Sequence, residues 1–262
     1  MKLLLKIAYD GNGFRGFQYQ PGERTVQGVL TETISEWLGM RCMVTGCSRT
    51  DAGVHALGFV VSVVPENGGS GDWLPVPCGK VHRALSGYLP EDISVKGEAL
   101  AEDGFHPRYS ALWKCYEYRM YDSVALDPFS REREWHLKRT VSETGLKRMR
   151  EAARHMQGIH DFKSFMASGS SVTDTVRNVS RISIERNGER IVLNATANGF
   201  LYNMVRIITG TLVDCAYGTI EPDDIPTVIE AMDRSAAGRT APACGLYLKE
   251  VTYGNNIEFK LI

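Results

Sequence analysis

The chain has 262 residues, 43% of them hydrophobic and 23% charged, which suits one large domain or two small ones and excludes wholesale disorder. Thirty Lys and Arg stand against 31 Asp and Glu, for a formal net charge of -1, so the strongly basic class of nucleic-acid binders is excluded. A polyanionic partner would need the positive charge gathered on one face or built by assembling two chains.

Residues 2–9 read as a strand rather than a signal segment, because the apolar run is short, Lys6 interrupts it and no small-residue cleavage site follows. Asp10-Gly11-Asn12-Gly13 is a turn. Thr25 can cap a helix that carries Val26, Val29, Leu30, Thr33 and Trp37 on one stripe and ends at Gly39. Strands are expected at 42–45 and 59–64, a surface loop at 65–77, a short helix at 81–89 and a short strand at 93–97. Residues 112–121 alternate with period two, Lys114, Tyr116, Tyr118 and Met120 sharing one side. Thr140-Val141-Ser142-Glu143 has the form of a capping box for a helix with Leu146, Met149, Ala153 and Met156 inward, closed by Gly158. Residues 177–186 and 190–197 flank Asn187-Gly188, the signal of a hairpin with a type I′ turn. Helices are expected at 200–216 and from Pro222, and a last strand at 246–253.

Irregular alternation of strands and helices around a strong hairpin points to an α+β fold: an extended, mixed but mainly antiparallel sheet with helices covering one face. A weak composition break near Gly104 divides an N-terminal α+β subdomain, 1–104, from a C-terminal one, 105–262. The cysteines Cys42, Cys47, Cys78, Cys115, Cys215 and Cys244 form no C-x-x-C pair and no zinc-site spacing, so they read as reduced thiols of a cytoplasmic protein with no metal site. No segment approaches the ~20 apolar residues of a membrane span.

The most informative stretch is Gly46-Cys47-Ser48-Arg49-Thr50-Asp51-Ala52-Gly53-Val54-His55-Ala56, between two strand-like segments. Small residues around Asp51 let the backbone approach a ligand closely. In an extended segment Arg49 and Asp51, two apart, point the same way and set a cation beside a carboxylate. The bland reading is a solvated Arg–Asp pair, and spacing alone does not identify a reaction.

Arg49 through Ala56 resembles the signature of the tRNA pseudouridine synthase A family, whose aspartate is essential. Further stretches are similar to that family and follow its order: Tyr9-Asp10-Gly11, Phe14, Gly16-Phe17-Gln18 and Thr25-Val26-Gln27; Phe105-His106-Pro107-Arg108-Tyr109-Ser110-Ala111 and Tyr116-Glu117-Tyr118; Asp161-Phe162-Lys163-Ser164-Phe165, Asn203-Met204-Val205-Arg206 and Gly210; Ala241-Pro242-Ala243 and Gly245-Leu246-Tyr247-Leu248. Phe17 stands where the family often has Trp, and Ser48 where it often has Gly. The resemblance covers most of the chain. It implies the pseudouridine synthase fold in two subdomains and isomerisation of uridine to pseudouridine in the anticodon stem-loop of tRNA. It also implies a homodimer, and the reaction requires no cofactor.

It further implies roles. Asp51 is the catalytic carboxylate, as nucleophile or electrostatic partner. Arg206 is its cationic partner, an arginine among Met204, Val205, Ile207 and Ile208 that would otherwise snorkel to water. Tyr116 is an active-site aromatic able to stack on the flipped base and to act at the sugar, although most strand tyrosines only pack. Arg49 holds the extruded nucleotide. His55 reads as a hydrogen-bonded structural residue, Arg131-Glu132-Arg133-Glu134 as a solvated face, and Lys147, Arg148, Arg150 and Arg154 as either solvated or on the tRNA backbone. Three other readings compete. A hydrolase of the same glycosidic bond usually needs two carboxylates, and the stretch has one. A non-catalytic tRNA-binding protein that retains the fold would not need Asp51, Tyr116 and Arg206 together. A dinucleotide-binding turn at Gly11–Gly16 lacks the required glycine spacing.

Overall fold

The computed structural model describes residues 1–68, 73–170, 172–254 and 257–261. Contacts divide the chain into two units, Met1–Leu112 with Leu248–Ile262, and Trp113–Tyr247. The C-terminal stretch thus belongs with the N-terminal residues rather than with the stretch that precedes it in sequence.

In the first unit β1 (Lys2–Tyr9) lies between β3 (His55–Pro65) and β4 (Ile93–Ala101), antiparallel to both. Leu3, Leu4, Leu5 and Ile7 are all fully buried, so both faces of this strand are covered. Leu4 packs with Ala99 and Ala101 under Phe105, Ile257 and Phe259. This explains an apolar run where a half-wet antiparallel strand would alternate. The strand order is β11 (Lys260–Leu261), β4, β1, β3, β10 (Leu246–Thr252, which belongs to this unit from Leu248 on), and β2 (Cys42–Gly46) also pairs with β3. Helix α1 (Val26–Leu38) packs along β2. Its caps are those the sequence implied: the Thr25 side chain accepts from Gly28 N–H, and Gly39 takes φ 64°. Helix α2 (Val81–Leu85) is shorter than expected. The fully buried Glu98 of β4 accepts from the N–H groups of Val81 and His82 at its start. Of the loop expected at 65–77, residues 69–72 lie outside the described residues.

In the second unit the order is β5 (Trp113–Tyr121), β9 (Arg190–Ala197), β8 (Val176–Asn187), β7 (Gly158–Asp161), each pair antiparallel. The two-residue β6 (Trp135–His136) runs parallel to β5. Helices α3 (Glu143–His155) and α4 (Met204–Ala216) pack on each other, α3 also on β8 and α4 on β5. The architecture is α+β with a mainly antiparallel sheet, as the alternation of elements implied.

Three local expectations need correction. The hairpin exists, but its two-residue loop is Gly188-Glu189, and of the two only Gly188 has positive φ. That is the type II′ pattern rather than I′. Ser142, not Thr140, caps α3 by accepting from Gly145 N–H, while the Thr140 hydroxyl turns to the Asp122 carbonyl. Finally, α4 begins at Met204 rather than near residue 200, because Asn203 adopts a left-handed conformation, φ 59°, that a right-handed helix cannot pass through.

Candidate active site

Asp51 sits half-buried in the short connection between β2 and β3 of the first unit, with Arg49 exposed two residues before it. The connection is held by the segment that follows β1. The Tyr9 and Thr50 hydroxyl oxygens lie 2.7 Å apart in a buried hydrogen bond, and Phe17 N–H donates to the Thr50 carbonyl at 3.0 Å. Such contacts need backbones to touch. A β-carbon on Gly11 would stand 2.1 Å from the Val54 carbonyl oxygen, and one on Gly16, at φ 90°, 2.7 Å from that of Thr50. Glycine at both places is therefore a condition for this loop's shape. Below them Phe17 stacks on Phe59 at 4.5 Å and Tyr9 tilts against Phe59 at 5.7 Å. Gln27 closes the arrangement: its amide oxygen accepts from Tyr19 N–H and its amide nitrogen donates to the Val44 carbonyl.

His55 is buried, and its Nδ1 accepts from Gly11 N–H at 3.0 Å with Asp10 Oδ1 at 3.2 Å. It stitches the two loops together, as a structural histidine does.

Tyr116 and Arg206 belong to the second unit. Tyr116 is buried on β5, opposite Ala195 of β9, and meets the Phe200 ring edge-on at 5.1 Å. The small Ala195 leaves that face to the aromatic pair. Arg206 lies in the first turn of α4. Its Nε donates to the Ala241 carbonyl at 2.8 Å, Ala241 N–H returns a bond to the Arg206 carbonyl at 3.0 Å, and its Nη1 donates to Asn203 Oδ1 at 2.7 Å.

The segment around Ala241 is itself clamped to α4. Arg206, Gly210 and Asp214 are four residues apart and so form one stripe of the helix. A β-carbon on Gly210 would stand 1.8 Å from the Arg239 carbonyl oxygen. Arg239 pairs with Asp214 through its guanidinium, with Nε at 2.8 Å, and through its N–H. Gly238 N–H donates to Thr211 Oγ1. Tyr118, fully buried, donates to the Pro242 carbonyl. Burial raises the Tyr118 hydroxyl pKa well above the ordinary tyrosine value, with Cys244 adding to the rise and Arg206 opposing it.

Two of the four α3 charges left open between solvent and the tRNA backbone also bond within the protein. Arg148 donates to the carbonyls of Cys215 and Ile220 and pairs with Glu221 at 2.9 Å, and Arg150 donates to the Ile184 carbonyl. Lys147 and Arg154 remain exposed on α3. Glu134 is half-buried and accepts from Arg190 Nε at 3.1 Å, so the run 131–134 is not simply a wet face. Tyr9, Thr50 and Asn203 were not singled out from the sequence, although all three lie inside the motifs that carried the resemblance.

Among the described residues no group of three or more His, Cys, Asp or Glu side chains is arranged to hold a metal, and no helix is long and apolar enough to cross a membrane.

A family model described as tRNA pseudouridine synthase matches residues 152–254. The tRNA pseudouridine synthase A of Bacillus velezensis is 42% identical over 257 residues, covering 97% of this chain and 100% of that protein, and the Bacillus subtilis enzyme of the same name matches equally. The Ruminiclostridium cellulolyticum tRNA pseudouridine synthase A is 40% identical over 253 residues, covering 96% of this chain and 99% of that protein.

Proposed function

This chain belongs to the tRNA pseudouridine synthase A family, and on that premise we propose that it isomerises uridine to pseudouridine in the anticodon stem-loop of tRNA, with Asp51 as its catalytic carboxylate. The observation that carries the assignment of Asp51 is its loop: a half-buried acid on a connection shaped by Gly11, Gly16 and the Tyr9–Thr50 bond. A merely solvated acid needs no such support.

The reaction breaks the N1–C1′ bond, turns the base and joins C5 to C1′; N1 takes up a proton and C5 gives one up. Substrate and product are isomers, and the chemistry asks for positioning and charge rather than an oxidant. Asp51 supplies the negative charge that assists glycosidic cleavage, as nucleophile or electrostatic partner. Tyr116 stacks on the extruded base and serves as acid or base. Arg206 supplies the cation that offsets the carboxylate charge, and Arg49, exposed beside Asp51, takes the place vacated by the flipped nucleotide. Extruding a base costs a few kcal/mol, and a guanidinium recovers part of that by stacking and bidentate bonding. A net charge of -1 favours a homodimer, two weakly charged chains together presenting enough basic surface to one tRNA in the cytoplasm.

The test is incubation of the purified protein with an unmodified tRNA transcript and nucleotide-by-nucleotide mapping of pseudouridine. Product at anticodon-arm uridines is expected. Release of free uracil would instead mark a hydrolase, and product confined to other arms would overturn the substrate assignment.

A further inference from the structure

Asn203 breaks one local rule and Arg206 another, and they break them together. At the start of a helix an Asn side chain ordinarily accepts from a backbone N–H of the first turn. Asn203 makes no such cap. It takes φ 59°, a left-handed conformation that asparagine tolerates better than most residues, though not without cost. The first turn of a helix also favours acidic groups, because unpaired N–H dipoles point there. Helix α4 has none, and it carries a cation, Arg206, at its third position. The side chain that should cap the helix has been turned onto that cation: Arg206 Nη1 donates to Asn203 Oδ1 at 2.7 Å.

A second anchor holds the other side of the same group. Arg206 Nε donates to the Ala241 carbonyl, and Ala241 N–H answers to the Arg206 carbonyl. A long, flexible side chain is thereby fixed at two of its nitrogens by acceptors that do not move with it. Stability alone does not explain the choice. A residue other than arginine at position 206, with a capping asparagine, would satisfy more of the helix's local preferences. Local rules broken without local gain are found where a fold serves chemistry.

We propose that Asn203 is a positioning residue, which holds the Arg206 guanidinium in its working orientation without itself touching the substrate. The proposal rests on the reading that Arg206 acts in the reaction. It makes the left-handed backbone at 203 a functional device: from that turn the Asn side chain meets Nη1 at 2.7 Å instead of capping the helix.

Asn203→Gly is the informative variant. Glycine adopts φ 59° freely, and the side chain it removes caps nothing, so the helix start survives. Single-turnover rate, tRNA affinity and thermal melting are measured for Asn203→Gly, with Arg206→Ala alongside. The expected result is a rate roughly tenfold or more lower, with affinity within about twofold and melting within about two degrees, because misorientation of a working group is felt in the chemical step. An unchanged rate overturns the proposal. So does a rate loss matched by an equal loss of affinity or of melting temperature, which would make Asn203 a structural residue. If Arg206→Ala turns over as the unaltered enzyme does, the role of Arg206 itself is wrong, which is a separate failure.

Discussion

The hydroxyl groups of Tyr9 and Thr50 meet at 2.7 Å, buried, one residue before Asp51 and across 41 residues of sequence. A buried bond of this kind contributes about 1 kcal/mol, and leaving one partner unsatisfied costs somewhat more. Its larger effect is on register: it fixes where the Thr50 end of the loop lies on β1, and hence where the next acid stands.

Tyr9→Phe removes that bond and keeps the ring that packs on Phe14 and Phe59. Stability is expected to fall by about 1–2 kcal/mol. The rate of pseudouridine formation should fall by more than tRNA affinity does. Urea unfolding and single-turnover kinetics on one preparation check both; a variant with unaltered rate would mean that Asp51 does not depend on this anchor.

Glu98 makes stability depend on pH in a definite direction. Burial pushes its pKa up, but bonds from the His82 side chain and from the backbone N–H groups of Gly79, His82 and Val81 outweigh burial and hold it below the ordinary glutamate value. A carboxylate depressed in the folded state contributes stability above its unfolded pKa and loses it as pH falls through the folded one. Glu98→Gln should therefore melt well below the unaltered protein near neutral pH. The gap should narrow steadily as pH falls below about 4.5, the usual range of a free glutamate. A gap that stayed constant down to acid would contradict the assignment.

Replacing glycine by alanine inside a helix normally stabilises by up to about 1 kcal/mol. Gly210→Ala is expected to do the reverse and cost roughly 1–3 kcal/mol, because the new β-carbon would lie 1.8 Å from the Arg239 carbonyl oxygen and the 238–241 segment would have to move. Turnover should fall with it, since Ala241 holds Arg206. Gly87→Ala, which meets nothing within 4 Å, serves as the comparison and should leave both unchanged.

Elements that announce themselves through local chemistry were legible. Thr25 and Gly39 bracket α1, and period two marks β5. What failed was decided at a distance or by a single dihedral. Thr140 lost the cap of α3 to Ser142 because its hydroxyl bonds to Asp122, and Asn203 cut the expected helix short because its backbone is left-handed. The short strands β6, β7 and β11 carry too few residues for periodicity to register and exist through their neighbours. At the site, the motif residues pointed to Asp51 through family resemblance. Nothing in the one-dimensional pattern could pair Tyr9 with Thr50, or show Gly11 beneath Val54, because these are contacts between loops far apart in sequence.

The most direct test concerns Asp51 itself. Asp51→Asn keeps the shape of the side chain and removes its charge. On an unmodified tRNA transcript, mapped at single-nucleotide resolution, the variant should form no pseudouridine above the enzyme-free background while binding tRNA within about threefold of the unaltered protein. Pseudouridine formed by Asp51→Asn at the rate of the unaltered protein would contradict the account.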